Sequence, residues 1–222
     1  MPLFALIARI LLGLGATILA SFGVYQILPE KIKVAVPFIS QAPGGIWTEP
    51  WQNACEEASI AMINAFYSDS ASALTAEEER EEILKIFDTK EKRFGPSSDE
   101  SMKTIATIIS DSELNWDAYV VDDPTIDQMK AELANQRPII APIYARALDN
   151  PYYVGEGPDY HVVVIVGYDD VTGEFITHDP GTARGEDFRY PYQEFYDAIN
   201  DFLTTKDYTA GPTRVLFTQP AL

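Results

Sequence analysis

The chain has 222 residues, 46% of them hydrophobic, which is enough for one domain with a sizeable core and a short appendage and too little for two full domains. Sixteen Lys and Arg stand against 34 Asp and Glu, a formal charge of −18 that argues against nucleic acid and against adsorption to anionic lipid, since both reward clustered cations. A single cysteine excludes a disulfide within the chain and leaves the redox compartment open.

From Ile10 to Leu28 no charged residue occurs and Leu, Ile, Ala, Gly, Phe and Val dominate, close to the roughly 20 residues a bilayer-spanning helix needs. Residues 1–30 are therefore expected to be a membrane anchor or signal-anchor helix, with a globular domain over 31–222. Only Ala20-Ser21 offers a weak cleavage site, so the anchor is expected to stay attached. Arg9 with the amino terminus on one side and Lys31 with Lys33 on the other orient it poorly; an extracytoplasmic domain is the expectation.

Lys31 to Ser40 is a β-favouring run in which Pro37 ends the strand or confines it to an edge. Gln41 follows, and a loop with Pro43, Gly44, Gly45 and Pro50 leads to Cys55. From Glu56 onward Ala58, Ala61, Met62, Ala65 and Phe66 recur at helical spacing, while Pro50 bars a helix upstream. Cys55 thus stands at a helix start, where unpaired N–H groups and the dipole favour thiolate, the nucleophilic form. A free cysteine by residue type alone is a small buried apolar group. Glu56 and Glu57 would raise the thiol pKa and call for a cationic partner.

Three helices are marked by a hydroxyl residue followed three positions later by Glu or Gln: Thr75 with Glu78, Ser97 with Glu100, and Thr125 with Gln128. The first, through Phe87, turns Ile83, Leu84, Ile86 and Phe87 to the core; the second carries Met102, Ile105, Ile108 and Ile109; the third Ile126, Met129 and Leu133. After Arg137 strands follow, over 138–143, 161–168 and 174–178, the last two joined by Asp169-Asp170-Val171-Thr172-Gly173 as a hairpin. A helix over Tyr192 to Phe202 and a strand over Arg214 to Thr218 close the chain. Helices first and strands second point to an α+β fold with an antiparallel sheet.

The two histidines lie in the strand half. His161 opens the buried strand and His178 ends its hairpin partner, just before Asp179-Pro180-Gly181, so His161 and Asp179 should lie side by side. A cysteine at a helix start, a histidine to take its proton and a carboxylate to orient the imidazole suit acyl transfer through a thioester. Gln41 and the Cys55 N–H could serve the oxyanion, although Gln41 by itself also reads as a solvated loop residue. His178, next to Asp179, should face the other way and pack. No His-x-x-x-His spacing marks a metal site. Trp47 and Trp51 either wall a substrate groove or belong to the core.

Val36-Pro37-Phe38-Ile39-Ser40-Gln41, Ala54-Cys55-Glu56-Glu57-Ala58-Ser59-Ile60-Ala61-Met62, Arg137-Pro138-Ile139-Ile140, the run from His161 to Asp169, and His178-Asp179-Pro180-Gly181 together resemble the peptidase domain of bacteriocin-processing (double-glycine leader) transporters. Within that papain-like family they are similar in particular to the stand-alone branch. The resemblance spans about residues 34–218. It implies a papain-like fold with an N-terminal helical half packed on an antiparallel sheet. It implies further a cysteine peptidase that acts on a peptide or protein substrate without cofactor or metal. Cys55 would be the nucleophile, His161 the general base and acid, Asp179 the orienting carboxylate and Gln41 the oxyanion donor. The family commonly has Gly-Pro after the cysteine, where this chain has Glu56-Glu57. Two other readings stay open: an idle papain-like module that binds peptide in the same groove, and a structural domain with Cys55 buried.

Overall fold

The computed structural model describes residues 28–68, 74–96, 99–112 and 114–221. The expected anchor over 1–30 lies outside them but for its last three residues, and no helix among the described residues is long and apolar enough to cross a membrane.

The described chain begins with β1 (Lys31–Lys33) and crosses the Pro- and Gly-rich loop to α1 (Cys55–Tyr67), α2 (Ala76–Phe94) and α3 (Met102–Asp111). Next come β2 (Trp116–Asp122), α4 (Ile126–Ala134), β3 (Ile139–Ile143), β4 (His161–Asp169), β5 (Glu174–His178), β6 (Phe188–Pro191), α5 (Tyr192–Ala198) and β7 (Arg214–Pro220). The strands form one sheet in the order β2-β7-β3-β4-β5-β6, each pair antiparallel, and β1 adds to β4. β4 is the centre. All nine of its residues are buried, as the unbroken Val and Ile run demands, and α1 and α4 pack against it. Burying each such side chain contributes about 1.5–3 kcal/mol before chain entropy is counted. β3 covers the first half of one β4 edge, and β1 takes the remainder opposite Gly167 to Asp169. The Ile32 carbonyl stands 2.3 Å from where a Cβ on Gly167 would be, so only glycine permits that approach.

The boxes at Thr75 and Thr125 close as expected, each hydroxyl accepting from the backbone N–H three residues on and each Glu or Gln side chain reaching back. The second expected start is corrected. α3 begins four residues later, capped by Ser101, whose Oγ accepts from Thr104 N–H. Glu100 is unsuited to an N3 role there: its N–H donates to Glu56, and its carbonyl accepts from the Tyr160 hydroxyl. Ser97 lies outside the described residues. α2 runs on to Phe94 rather than ending at Phe87, and stops at Gly95, whose φ of 79° suits a residue without Cβ. Leu84, expected in the core, is 45% exposed. The helix from Tyr192 ends at Ala198, where Ile199 turns extended to bridge Ile143.

β2 and β6 are elements the sequence did not announce. β2 pairs along its whole length with β7 at the sheet's edge, with only Trp116 fully buried, so it lacks the apolar run that marks a central strand. It also places a strand between two helices, which modifies the expected segregation of helices and strands.

Candidate active site

Cys55 is the first residue of α1, and Ala54 before it provides no side-chain cap; in the first turn the Glu56 and Glu57 carboxyls each meet their own backbone N–H. One turn on, the Ser59 hydroxyl donates to the Val162 carbonyl at 3.4 Å, tying the start of α1 over the start of β4. The backbone N–H of Val162 in turn reaches the Cys55 sulfur. His161, the residue before Val162, lines with Cys55 a cleft of about 470 Å³ that Gln41, Trp47, Tyr153 and Tyr160 also line.

His161 Nε2 lies 2.6 Å from Asp179 Oδ1. The Tyr153 hydroxyl donates to Asp179 Oδ2 at 2.7 Å and the Gly181 N–H to Oδ1 at 2.8 Å. Burial pushes the Asp179 carboxyl up, but His161, Tyr153 and the Gly181 N–H outweigh it and hold the group below the usual range. His161 Nδ1 makes no hydrogen bond among the described residues, which leaves that nitrogen for the cleft. Asp159, two residues before His161, is turned away in an ion pair with Arg146 at 3.0 Å. Gly181 is also a spatial necessity, because a Cβ there would stand 2.7 Å from His161 Cε1.

A cysteine, an imidazole and a carboxylate in this order, on these elements, call for comparison with known families. The model of the Peptidase_C39 like family matches residues 33–209. The chain belongs to the C39-like peptidase family. It is therefore a cysteine peptidase-like hydrolase by family. Two solved structures share the fold. One, from Bacillus anthracis, is described as a C39-like peptidase: 16% identity, TM-score 0.55, covering 87% of this chain and 100% of that one. The other is Xylellain, a cysteine protease from Xylella fastidiosa: 15% identity, TM-score 0.54, covering 88% and 87%. No curated protein sequence matches the chain.

In this C39-like peptidase Gln41 is held to the turn after Asp179, its N–H donating to the Pro180 carbonyl at 3.1 Å. Its Nε2 donates to the carbonyls of Trp51 and Gln52, at 3.2 and 3.0 Å, while Oε1 is buried without a partner among the described residues. Trp47 lines the cleft and is 44% exposed. Trp51 does not line the cleft; its ring packs on the core.

The two glutamates after the cysteine are both buried. Glu57 forms an ion pair with Lys90, itself buried, so the cationic partner that the two glutamates call for comes from α2. Glu56 Oε2 accepts from Cys55 Sγ at 2.9 Å, and Oε1 accepts from Glu100 N–H at 3.0 Å. Burial first and Glu57 second push Glu56 up to about 8, against the pull of Lys90. Burial, and then Glu56, push the Cys55 thiol well above its ordinary value, opposed by the Val162 N–H.

His178 packs, as its strand position implied. Nε2 meets the Val36 carbonyl at 2.9 Å, so it carries the hydrogen, and Nδ1 accepts from Asp187 N–H at 3.2 Å. Phe38 lies edge-on to the ring, and burial lowers its pKa. Among the described residues no cluster of His, Cys, Asp and Glu suits a metal. Two site residues escaped the sequence reading, Tyr153 and Glu56 as a partner of the sulfur. Tyr153 sits in a loop of turn residues before β4, and no local pattern reveals that its hydroxyl meets a carboxylate 26 residues on.

Proposed function

We propose that the chain hydrolyses peptide or amide bonds through a thioester on Cys55, with His161 as base and acid and Asp179 as the orienting carboxylate. The carrying observation is His161, fixed by Asp179 through Nε2, with Nδ1 left for the sulfur in the shared cleft. Sγ attacks the substrate carbonyl carbon while its proton passes to Nδ1. The oxyanion takes hydrogen bonds from the Cys55 N–H and from Gln41 Nε2, which exchanges its longer bond, to Trp51, for the oxyanion. Collapse breaks the C–N bond as His161 returns the proton to the leaving amine. Water, deprotonated by His161, then hydrolyses the thioester and frees the acid.

A peptide library incubated with the wild type and with Cys55→Ala and His161→Ala, read by mass spectrometry, tests this. Cleavage products in the wild type alone are expected; products from Cys55→Ala would overturn it. One observation favours a second reading, an idle peptide-binding module: Cys55 is only 7% exposed, with its thiol pushed up. Binding without cleavage would decide for it. The uncharged run Ile10–Leu28 supports a single-pass anchor with the domain extracytoplasmic. Membrane fractions should retain the full chain under alkaline carbonate and lose a chain shortened by residues 1–30. External protease should reach the domain in intact spheroplasts.

A further inference from the structure

We infer that in the working enzyme Glu56 carries a proton on Oε2 and donates it to the Cys55 sulfur, so that a carboxylic acid and not a carboxylate is the partner of the thiolate. This rests on Cys55 being the nucleophile. Glu56 is 2% exposed, and its two oxygens have different neighbours. Oε1 already accepts the N–H of Glu100 at 3.0 Å, so a proton on the group belongs on Oε2, between oxygen and sulfur, 2.9 Å apart. A carboxylate here can only accept; it holds the sulfur as S–H and opposes a second negative charge at contact distance in a dry site. A carboxylic acid can donate, which stabilises S⁻ as backbone N–H groups do.

The groups facing the pair favour the protonated form. Glu57 lies beside it on α1, its charge answered by Lys90 from α2. Glu100 comes from the segment before α3 with its N–H on Glu56, Asp99 lines the same cleft, and Tyr160 before β4 donates its hydroxyl to the Glu100 carbonyl, its phenol raised by burial and then by Glu56. His161 on β4 lines the same cleft. Burial and Glu57 raise the Glu56 carboxyl to about 8, in line with this geometry. In the acylation step the thiol proton leaves for His161 Nδ1 as the S–C bond forms. The Glu56 proton stays on Oε2 throughout, hydrogen-bonded to the sulfur.

The test is the pH dependence of Cys55 alkylation by iodoacetamide in the wild type and in Glu56→Gln. The glutamine matches the site: its oxygen keeps the Glu100 N–H, and its NH₂ is a permanent neutral donor toward the sulfur. Because the chain has one cysteine, the signal belongs to one atom. Because the glutamine reproduces the donor of the protonated acid, alkylation at neutral pH should stay within about twofold of the wild type, whereas loss of a carboxylate would lower the thiol titration by about one pH unit and make alkylation roughly tenfold faster. A roughly tenfold faster alkylation of Glu56→Gln at neutral pH, the sign of a carboxylate in the wild type, overturns the assignment. Alkylation needs no substrate, so this result stands apart from whether the chain cleaves peptides. If Glu56→Gln fails to fold, infrared spectra of the wild type decide. A protonated-carboxyl band at neutral pH that shifts when Cys55 is alkylated is expected, and its absence overturns the proposal.

Discussion

At the scale of the residue, the candidate machinery separates into groups that react and groups that hold. Cys55→Ala removes the sulfur at a helix start that tolerates a small side chain, so turnover should vanish at an unchanged melting temperature. Gln41→Ala removes one oxyanion donor, and a fall in kcat on the order of 10²- to 10³-fold with little change in KM is expected. Gly181→Ala acts through crowding, since its Cβ would press on His161 Cε1 at 2.7 Å. A displaced imidazole should lower kcat by up to about 10²-fold, with the melt nearly unmoved. A variant of full activity would show that the ring yields freely. The partners of Asp179 show how far a role can be read from sequence. The hairpin argument placed it beside His161, because strand ends are neighbours by construction; Tyr153 is there only because the loop before β4 folds back.

At the scale of the element, α1 carries the candidate nucleophile and α2 holds it in place. The link is the buried ion pair between Glu57 and Lys90. Lys90→Met should destabilise the fold by about 3–5 kcal/mol, because it strands an unpaired carboxylate in the interior. Replacing both partners, with Glu57→Leu added, should recover most of that loss. Urea unfolding of the two variants measures the difference, and equal destabilisation by both would refute the pairing argument. Capping boxes at Thr75 and Thr125 were legible because both partners lie within four residues. The Ser101 cap was not, because Glu100 looks like a capping residue until Glu56 and Tyr160 claim its backbone.

At the scale of the whole molecule, two buried groups give stability opposite slopes with pH. His178 has a folded pKa below its ordinary value, so the unfolded chain binds its proton more readily. Its contribution is complete above about 6.5 and is lost as pH falls below that. Glu56 is raised to about 8, so the folded chain holds the proton more tightly, and stability falls as pH rises from the ordinary carboxylate range toward 8. Asp179 is lowered, and its contribution is lost only below the ordinary carboxylate range. Between about pH 5 and 6.5 the two slopes oppose, so each must be read by difference. His178→Gln should remove the acid-side loss near 6, and Glu56→Gln the decline on the other side, in denaturant melts from about pH 5 to 8. Parallel curves for wild type and both variants would refute the burial argument for these groups.

The sequence by itself determined the start of α1, the Val- and Ile-rich centre of the sheet, the hairpin that sets Asp179 beside His161, and the packing role of His178. Each of these follows from period, turn chemistry or strand alternation, which act between residues close in the chain. The tertiary structure alone decided that β2 pairs with β7, that Lys90 answers Glu57, that Tyr153 holds Asp179, and that Glu56 meets the sulfur from a site closed by Glu100 and Tyr160. Those outcomes depend on burial and on partners dozens of residues apart, and the energy of a charged group in a dry interior is set by what surrounds it in space rather than by what adjoins it in sequence.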